Sequence, residues 1–128
     1  MIQSGTLLKI VDNTGAKTAL CLKVGSGFKK RYAVSGDTIL VSIKSLRLKR
    51  RNSIKVKKGE IFKALLVRAK TPKNLFSGNF KAYFSFPSAI LLNKKKKIVG
   101  TRIYGSISKE FRYTKYMKAL SLSSGVSF

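Results

Sequence analysis

Gly36-Asp37-Thr38-Ile39-Leu40-Val41-Ser42-Ile43-Lys44 is the stretch on which the fold turns. A Gly-Asp turn leads straight into a run in which Ile39, Val41 and Ile43 share one face, the two-residue period of a strand with one buried side. The same period continues in both directions. Upstream, residues 6–12 form an apolar run closed by Asp12-Asn13-Thr14-Gly15, a strong turn signal. Within residues 18–24, Leu20, Leu22 and Val24 fall on one face and Ala19, Cys21 and Lys23 on the other. Downstream, residues 60–68 read as a longer apolar strand entered through Lys58-Gly59. Residues 80–86 alternate again, with Phe80, Ala82, Phe84 and Phe86 expected inward, and residues 89–92 follow Pro87 and stop at Asn93.

Short strands joined by turns, with no long helix between them, predict an all-β fold: a small five-stranded β-barrel with a protruding basic ribbon or loop. Closure removes the open edges that so apolar a chain could not leave unpaired. After Gly105 the pattern changes. Residues 108–113 and 114–120 each suit a short helix, with Ser108 and Thr114 as N-caps. Ile107, Phe111, Met117 and Leu120 are expected to face the barrel. The chain reads as one domain over 1–128: barrel about 1–105, helical part about 106–122, and a small polar tail, 123–128, ordered only through contacts.

Charge narrows the function. The 128 residues carry 28 Lys and Arg against 4 Asp and Glu, a formal net charge of +24, while 44% of residues are hydrophobic. That apolar share is enough for a packed core, so the cations belong to the surface and a polyanion is the expected partner. There is no His and one Cys, and the carboxylates Asp12, Asp37, Glu60 and Glu110 are far apart in sequence. Imidazole bases, His-containing zinc sites and internal disulfides are excluded, and no catalytic residue, metal or cofactor is expected. The longest apolar run is about four residues, far short of the ~20 that span a bilayer. No membrane partner is expected. Met1-Ile2-Gln3 leads into the first strand without a charged or transit-like leader, so the protein is expected to act where it is translated.

The cations are clustered. Between residues 38 and 59 there is no acid, while Lys44, Arg47, Lys49, Arg50, Arg51, Lys55, Lys57 and Lys58 lie together between two strands. In an ordinary protein such a run is a solvated loop. Here the overall charge favours phosphate contacts, each of which releases condensed counterions. Lys29-Lys30-Arg31 sits between Phe28 and Tyr32, an interleaving suited to phosphate binding and base stacking. At this level Phe28 reads equally as a core ring or as an exposed one. Lys94, Lys95, Lys96 and Lys97 make a four-lysine turn. With Arg68 on the long strand, these residues are the expected RNA-binding set.

A series of short motifs also runs in order along the chain. Met1-Ile2-Gln3 with Thr6, and Asp12-Asn13-Thr14-Gly15-Ala16, are followed by Cys21-Leu22-Lys23-Val24, Arg31-Tyr32-Ala33 and Gly36-Asp37. Val56-Lys57-Lys58-Gly59, Lys63-Ala64, Val67-Arg68 and Leu91-Leu92-Asn93 come next, then Gly100-Thr101-Arg102-Ile103-Tyr104-Gly105 and Tyr116-Met117-Lys118. As an ordered set they resemble the universal large-subunit ribosomal protein 14 family over essentially the whole chain. The resemblance implies a structural, non-enzymatic constituent of the large ribosomal subunit that binds large-subunit rRNA. It implies neighbours of the large-subunit protein 3 and 19 types and contact with small-subunit rRNA across the interface. It further implies a surface at Thr101, Arg102 and Lys118 on which a ribosome-silencing factor docks. Residues 44–55 are longer and more basic than the family pattern, and residues 71–88 run about one residue long, with Pro87 near a usual Asn.

Richness in Lys, Phe, Ile, Leu and Ser, with no Trp, suggests an AT-rich coding genome. A mitochondrial ribosome on the matrix side is therefore the expected location, with a bacterial cytoplasm or plastid stroma as alternatives. A different reading is a free-standing barrel for single-stranded nucleic acid, working through stacking aromatics on an open sheet face. A nuclease or RNA-modifying enzyme is disfavoured by the missing His and scattered acids.

Overall fold

The computed structural model describes the chain except residues 26, 49–54, 71–72, 75–80, 83 and 128. Its strands are β1 (Leu7–Ile10), β2 (Ala16–Val24), β3 (Thr38–Leu46), β4 (Ile61–Arg68), β5 (Lys73–Asn74), β6 (Lys81–Ala82), β7 (Ser88–Leu92), β8 (Ile103–Ser108) and β9 (Ser123–Ser127). Five of them close into a barrel in the order β1-β2-β3-β4-β7. The ladders are antiparallel except at the seam, where β1 runs parallel to β7 through Lys9–Ser88 and Ile10–Ala89. The five-stranded barrel expected from the alternation is thus present.

Ile39, Val41 and Ile43 point into the barrel with Leu8, Ile10, Cys21, Ala64, Leu66 and Leu91. Residues 64–67 of β4 and the whole of β7 are buried on both faces. Their other side chains, Leu65, Val67, Ile90 and Leu92, leave the barrel and pack against Ile103, Ile107, Phe111, Tyr116 and Ala119. This explains why residues 64–67 and 89–92 read as continuous apolar runs rather than alternating ones.

The covering layer is built by the C-terminal residues. β8 leads into a 3₁₀ helix (Lys109–Tyr113) and α1 (Lys118–Leu122), and β9 then returns parallel to β8, pairing Ile103 with Ser123 and Ile107 with Val126. Parallel neighbours need a crossover of about a dozen residues, and the two helical turns supply it.

Four sequence expectations are corrected. β2 does not alternate strictly: with register shifts at 16/18, 18/19 and 21/23, Ala16, Ala19 and Cys21 are buried, Leu22 and Lys23 are both exposed, and Val24 packs against the core from the side expected for Lys23. Bulges insert unpaired residues and break the two-residue period. Among the described residues of 80–86 there is no barrel strand: Lys81 and Ala82 pair with Asn74 and Lys73 outside the barrel, and Phe86 is 58% exposed beneath the Lys9 ammonium, 3.6 Å from the ring centroid. Phe80 lies outside the described residues.

The third correction concerns the helices. Ser108 provides no side-chain cap, and Thr114 ends the 3₁₀ helix instead of starting one, its hydroxyl donating to the Phe111 carbonyl at 2.9 Å. Met117 precedes α1 and is 60% exposed, while Tyr116 takes the buried position. The fourth is that residues 123–127 are a strand rather than a tail.

Candidate nucleic-acid interface

The loops are held by a buried carboxylate. Asp12 is fully buried and accepts from the Thr14 hydroxyl, from the Thr14 N–H at 3.2 Å and from the Leu91 N–H at 2.9 Å. Burial raises its pKa above the ordinary 3.8, against the opposing pull of those donors and of Arg47. Next to it, Asn13 Oδ1 accepts from the Thr101 and Arg102 N–H groups at 2.8 and 3.3 Å, and Asn13 Nδ2 donates to Thr101 Oγ1 at 2.6 Å. Gly100 makes this approach possible, because a Cβ there would stand 2.9 Å from Asp12 Cβ. The turn signal at 12–15 is therefore also a fastener for residues 101–102, which lie nearly ninety positions further along the chain.

The same turn anchors the basic segment. The Arg47 N–H donates to Gly15 O at 2.8 Å and the Lys55 N–H to Thr14 O at 2.9 Å, so the two ends of residues 47–55 meet at one place. Lys49, Arg50 and Arg51 lie outside the described residues. Lys44, Lys55, Lys57 and Lys58 are exposed. Arg47 instead turns its guanidinium back to donate to Ile10 O at 2.9 Å, with its carbon 5.4 Å from the Tyr104 ring centroid.

Arg68 is likewise engaged within the fold. Its Nε donates to Ser106 O at 2.8 Å and its Nη2 to Tyr104 O, clamping β8 to the end of β4. Burial lowers its pKa. Gly105, at φ +85°, lies directly under this guanidinium, where any Cβ would collide with it. Sequence reasoning placed Arg47 and Arg68 with the RNA-binding cations and had no signal for these backbone partners.

The other candidate cations among the described residues are exposed. Residues 94–97 form an exposed turn in which the Asn93 N–H donates to Lys97 O at 2.8 Å and Lys96 adopts φ +59°. In the loop after β2, Lys29, Lys30, Arg31 and Tyr32 are exposed, and Lys30 pairs with Asp37 at 2.6 Å. Phe28 is 93% exposed, which decides between its two readings. Thr101 and Arg102 are exposed and line a groove of about 420 Å³ with Tyr104 and Ser121–Ser124, residues the sequence did not single out. Lys118 is exposed at the start of α1, and the wall of that groove is made by the far end of the helix.

No cluster of three or more His, Cys, Asp or Glu that could hold a metal occurs among the described residues, and among them no helix is long and apolar enough to cross a membrane. Burial pushes the Cys21 thiol up, away from the thiolate form. Fold and surface together define a small, highly basic closed barrel that presents lysine-rich loops on a rigid frame. The family model of ribosomal protein L14p/L23e matches residues 1–127. The chain belongs to this family, whose members are structural proteins of the ribosome.

Proposed function

We propose that the protein is a structural constituent of the large subunit that binds large-subunit rRNA and catalyses no reaction. The observation that carries this reading is the disposition of charge. Against 28 cations stand four carboxylates, of which Asp12 is consumed inside the fold and Asp37 is paired with Lys30. Among the described residues, the exposed Lys29, Arg31, Lys44, Lys55, Lys57, Lys58 and the four lysines of 94–97 have no such carboxylate partner, and rRNA phosphate would supply the balance. Arg47 and Arg68 serve this role by bracing the loops, and Lys49, Arg50 and Arg51 extend it along the basic segment.

The groove at Thr101 and Arg102, with Lys118 nearby on α1, is the face we assign to the subunit interface. There it would meet small-subunit rRNA, neighbours of the protein 3 and 19 types and a ribosome-silencing factor. The mitochondrial ribosome is the location favoured by the composition. Arg102→Ala with Lys118→Ala should leave melting nearly unchanged, since exposed charges contribute about 0–1 kcal/mol, and should weaken subunit joining. A large drop in melting with normal joining refutes the interface role.

The main test is salt dependence. Log affinity for rRNA should fall linearly with log salt, by about 0.7 to 0.9 per phosphate neutralised. Replacing Lys94, Lys95, Lys96 and Lys97 by Ala should flatten that slope by roughly 2–3 units while changing stability by no more than about 0.5 kcal/mol. The full chain should remain with large subunits in high-salt gradients. A free protein there, together with tight binding to unstructured oligonucleotides, would favour the free-standing barrel instead.

A further inference from the structure

A phenyl ring left in water forgoes the burial that stabilises most aromatic side chains, yet Phe28 is almost wholly exposed. Its loop is also strained. Gly27 at φ +120° and the non-glycine Lys29 at φ +56° flank the ring in left-handed conformations, and for lysine that costs about 1 kcal/mol. The Lys29 ammonium stands 5.4 Å from the ring centroid. Ring and ammonium border an open groove of about 710 Å³ whose lining also includes Gln3, Ser4, Lys23 and Arg31, with no carboxylate among the lining residues. That volume falls within the ~300–1,000 Å³ of small-ligand sites. A π-face flanked by cations, with amide and hydroxyl groups in the same lining, suits a nucleobase and its phosphate. An apolar protein anchor would meet mostly Gln, Ser, Lys and Arg.

We infer that this groove takes one unpaired RNA nucleotide, its base stacked on Phe28 and its phosphate held by Lys29 and Arg31. The inference rests on the rRNA-binding reading and adds a single-stranded, base-stacking contact to it. Lys30 is committed to Asp37 at 2.6 Å and so serves the loop more than the ligand.

The chain contains five Tyr but no Trp, so Phe28→Trp installs a lone tryptophan at the groove, whose emission can be excited selectively over the tyrosines. The full-length variant is titrated with a short oligouridylate and with a blunt RNA duplex of the same length. Quenching by the single strand but not by the duplex is expected. Phe28→Leu, which keeps apolar bulk and loses the π-face, should weaken single-strand binding roughly 5- to 100-fold and leave duplex affinity and salt slope unchanged. Phe28→Tyr should retain the affinity. Lys29→Ala should cost more single-strand affinity than Lys30→Ala.

Salt-dependent binding of both RNAs, with no quenching and no loss in Phe28→Leu, would overturn the stacking contact while leaving the rRNA reading intact. Absence of any RNA binding would overturn both. Unchanged RNA affinities with reduced incorporation of Phe28→Leu into large subunits would identify the ring as a protein contact and refute the inference.

Discussion

Two groups of cations in this molecule look alike in sequence and behave differently in space. At the barrel end that carries β8, Arg47 and Arg68 turn back to donate to Ile10, Ser106 and Tyr104 carbonyls. On the loops at residues 27–32 and 94–97 the cations are exposed, and of them only Lys30 is tied back to the fold, through Asp37. The difference follows from chemistry as well as position. A guanidinium offers five donors in a planar fork and sheds water readily, so it can bridge two backbone carbonyls at a partly buried seam. An ammonium is strongly hydrated and stays at the surface. Positive charge in this barrel is therefore of two kinds, one that holds the frame together and one left exposed at the surface, where the proposed function places rRNA.

The comparison breaks most visibly at the carboxylate beneath the first group. Asp12→Ala strands the Leu91 N–H and the Thr14 donors in the interior, and a buried unpaired donor costs roughly 1–3 kcal/mol. A loss of about 3 kcal/mol in chemical denaturation is expected. The pH dependence sharpens it. Burial places the folded pKa of Asp12 above 3.8, so the folded state takes up the proton more readily than the unfolded chain. Its contribution is full below 3.8 and declines as pH rises through the raised value. Wild type should thus lose stability relative to Asp12→Asn as pH climbs through that window. A gain over the same window would mean that the donors outweigh desolvation.

A smaller effect is expected at the seam. Arg68→Ala removes two bonds to backbone carbonyls, of roughly 1 kcal/mol or more each when the donor is charged. It should lower stability by about 2 kcal/mol and change the salt slope of RNA binding by less than one unit. If Arg68→Ala melted normally and bound RNA with a much flatter slope, the division into bracing and binding cations would collapse.

Much of the barrel was legible because its signals are local. The spacing of Ile39, Val41 and Ile43 and the turn residues at 12–15 and 36–37 require no knowledge of distant contacts, and each maps onto a strand or a turn in the structure. The candidate site was less legible. The sequence marked Phe28 and Lys29 but left Phe28 undecided between core and surface. It treated Arg68 as a ligand for RNA, although its partners lie 36 and 38 residues away.

By itself, then, the sequence determined the class: a closed all-β barrel, cationic outside and without histidine for imidazole chemistry. Composition and two-residue periodicity are sums over neighbours, and both survive without three-dimensional information. Tertiary structure alone decided the rest. The register shift after Cys21 brought Val24 rather than Lys23 to the core side of β2. The covering layer turned residues 123–127 from a polar tail into a strand, and Asn13 reached Thr101 and Arg102 across 88 and 89 positions. Each of these depends on a contact whose loop-closure cost is met only when the whole barrel forms, and no local pattern of residues carries that information.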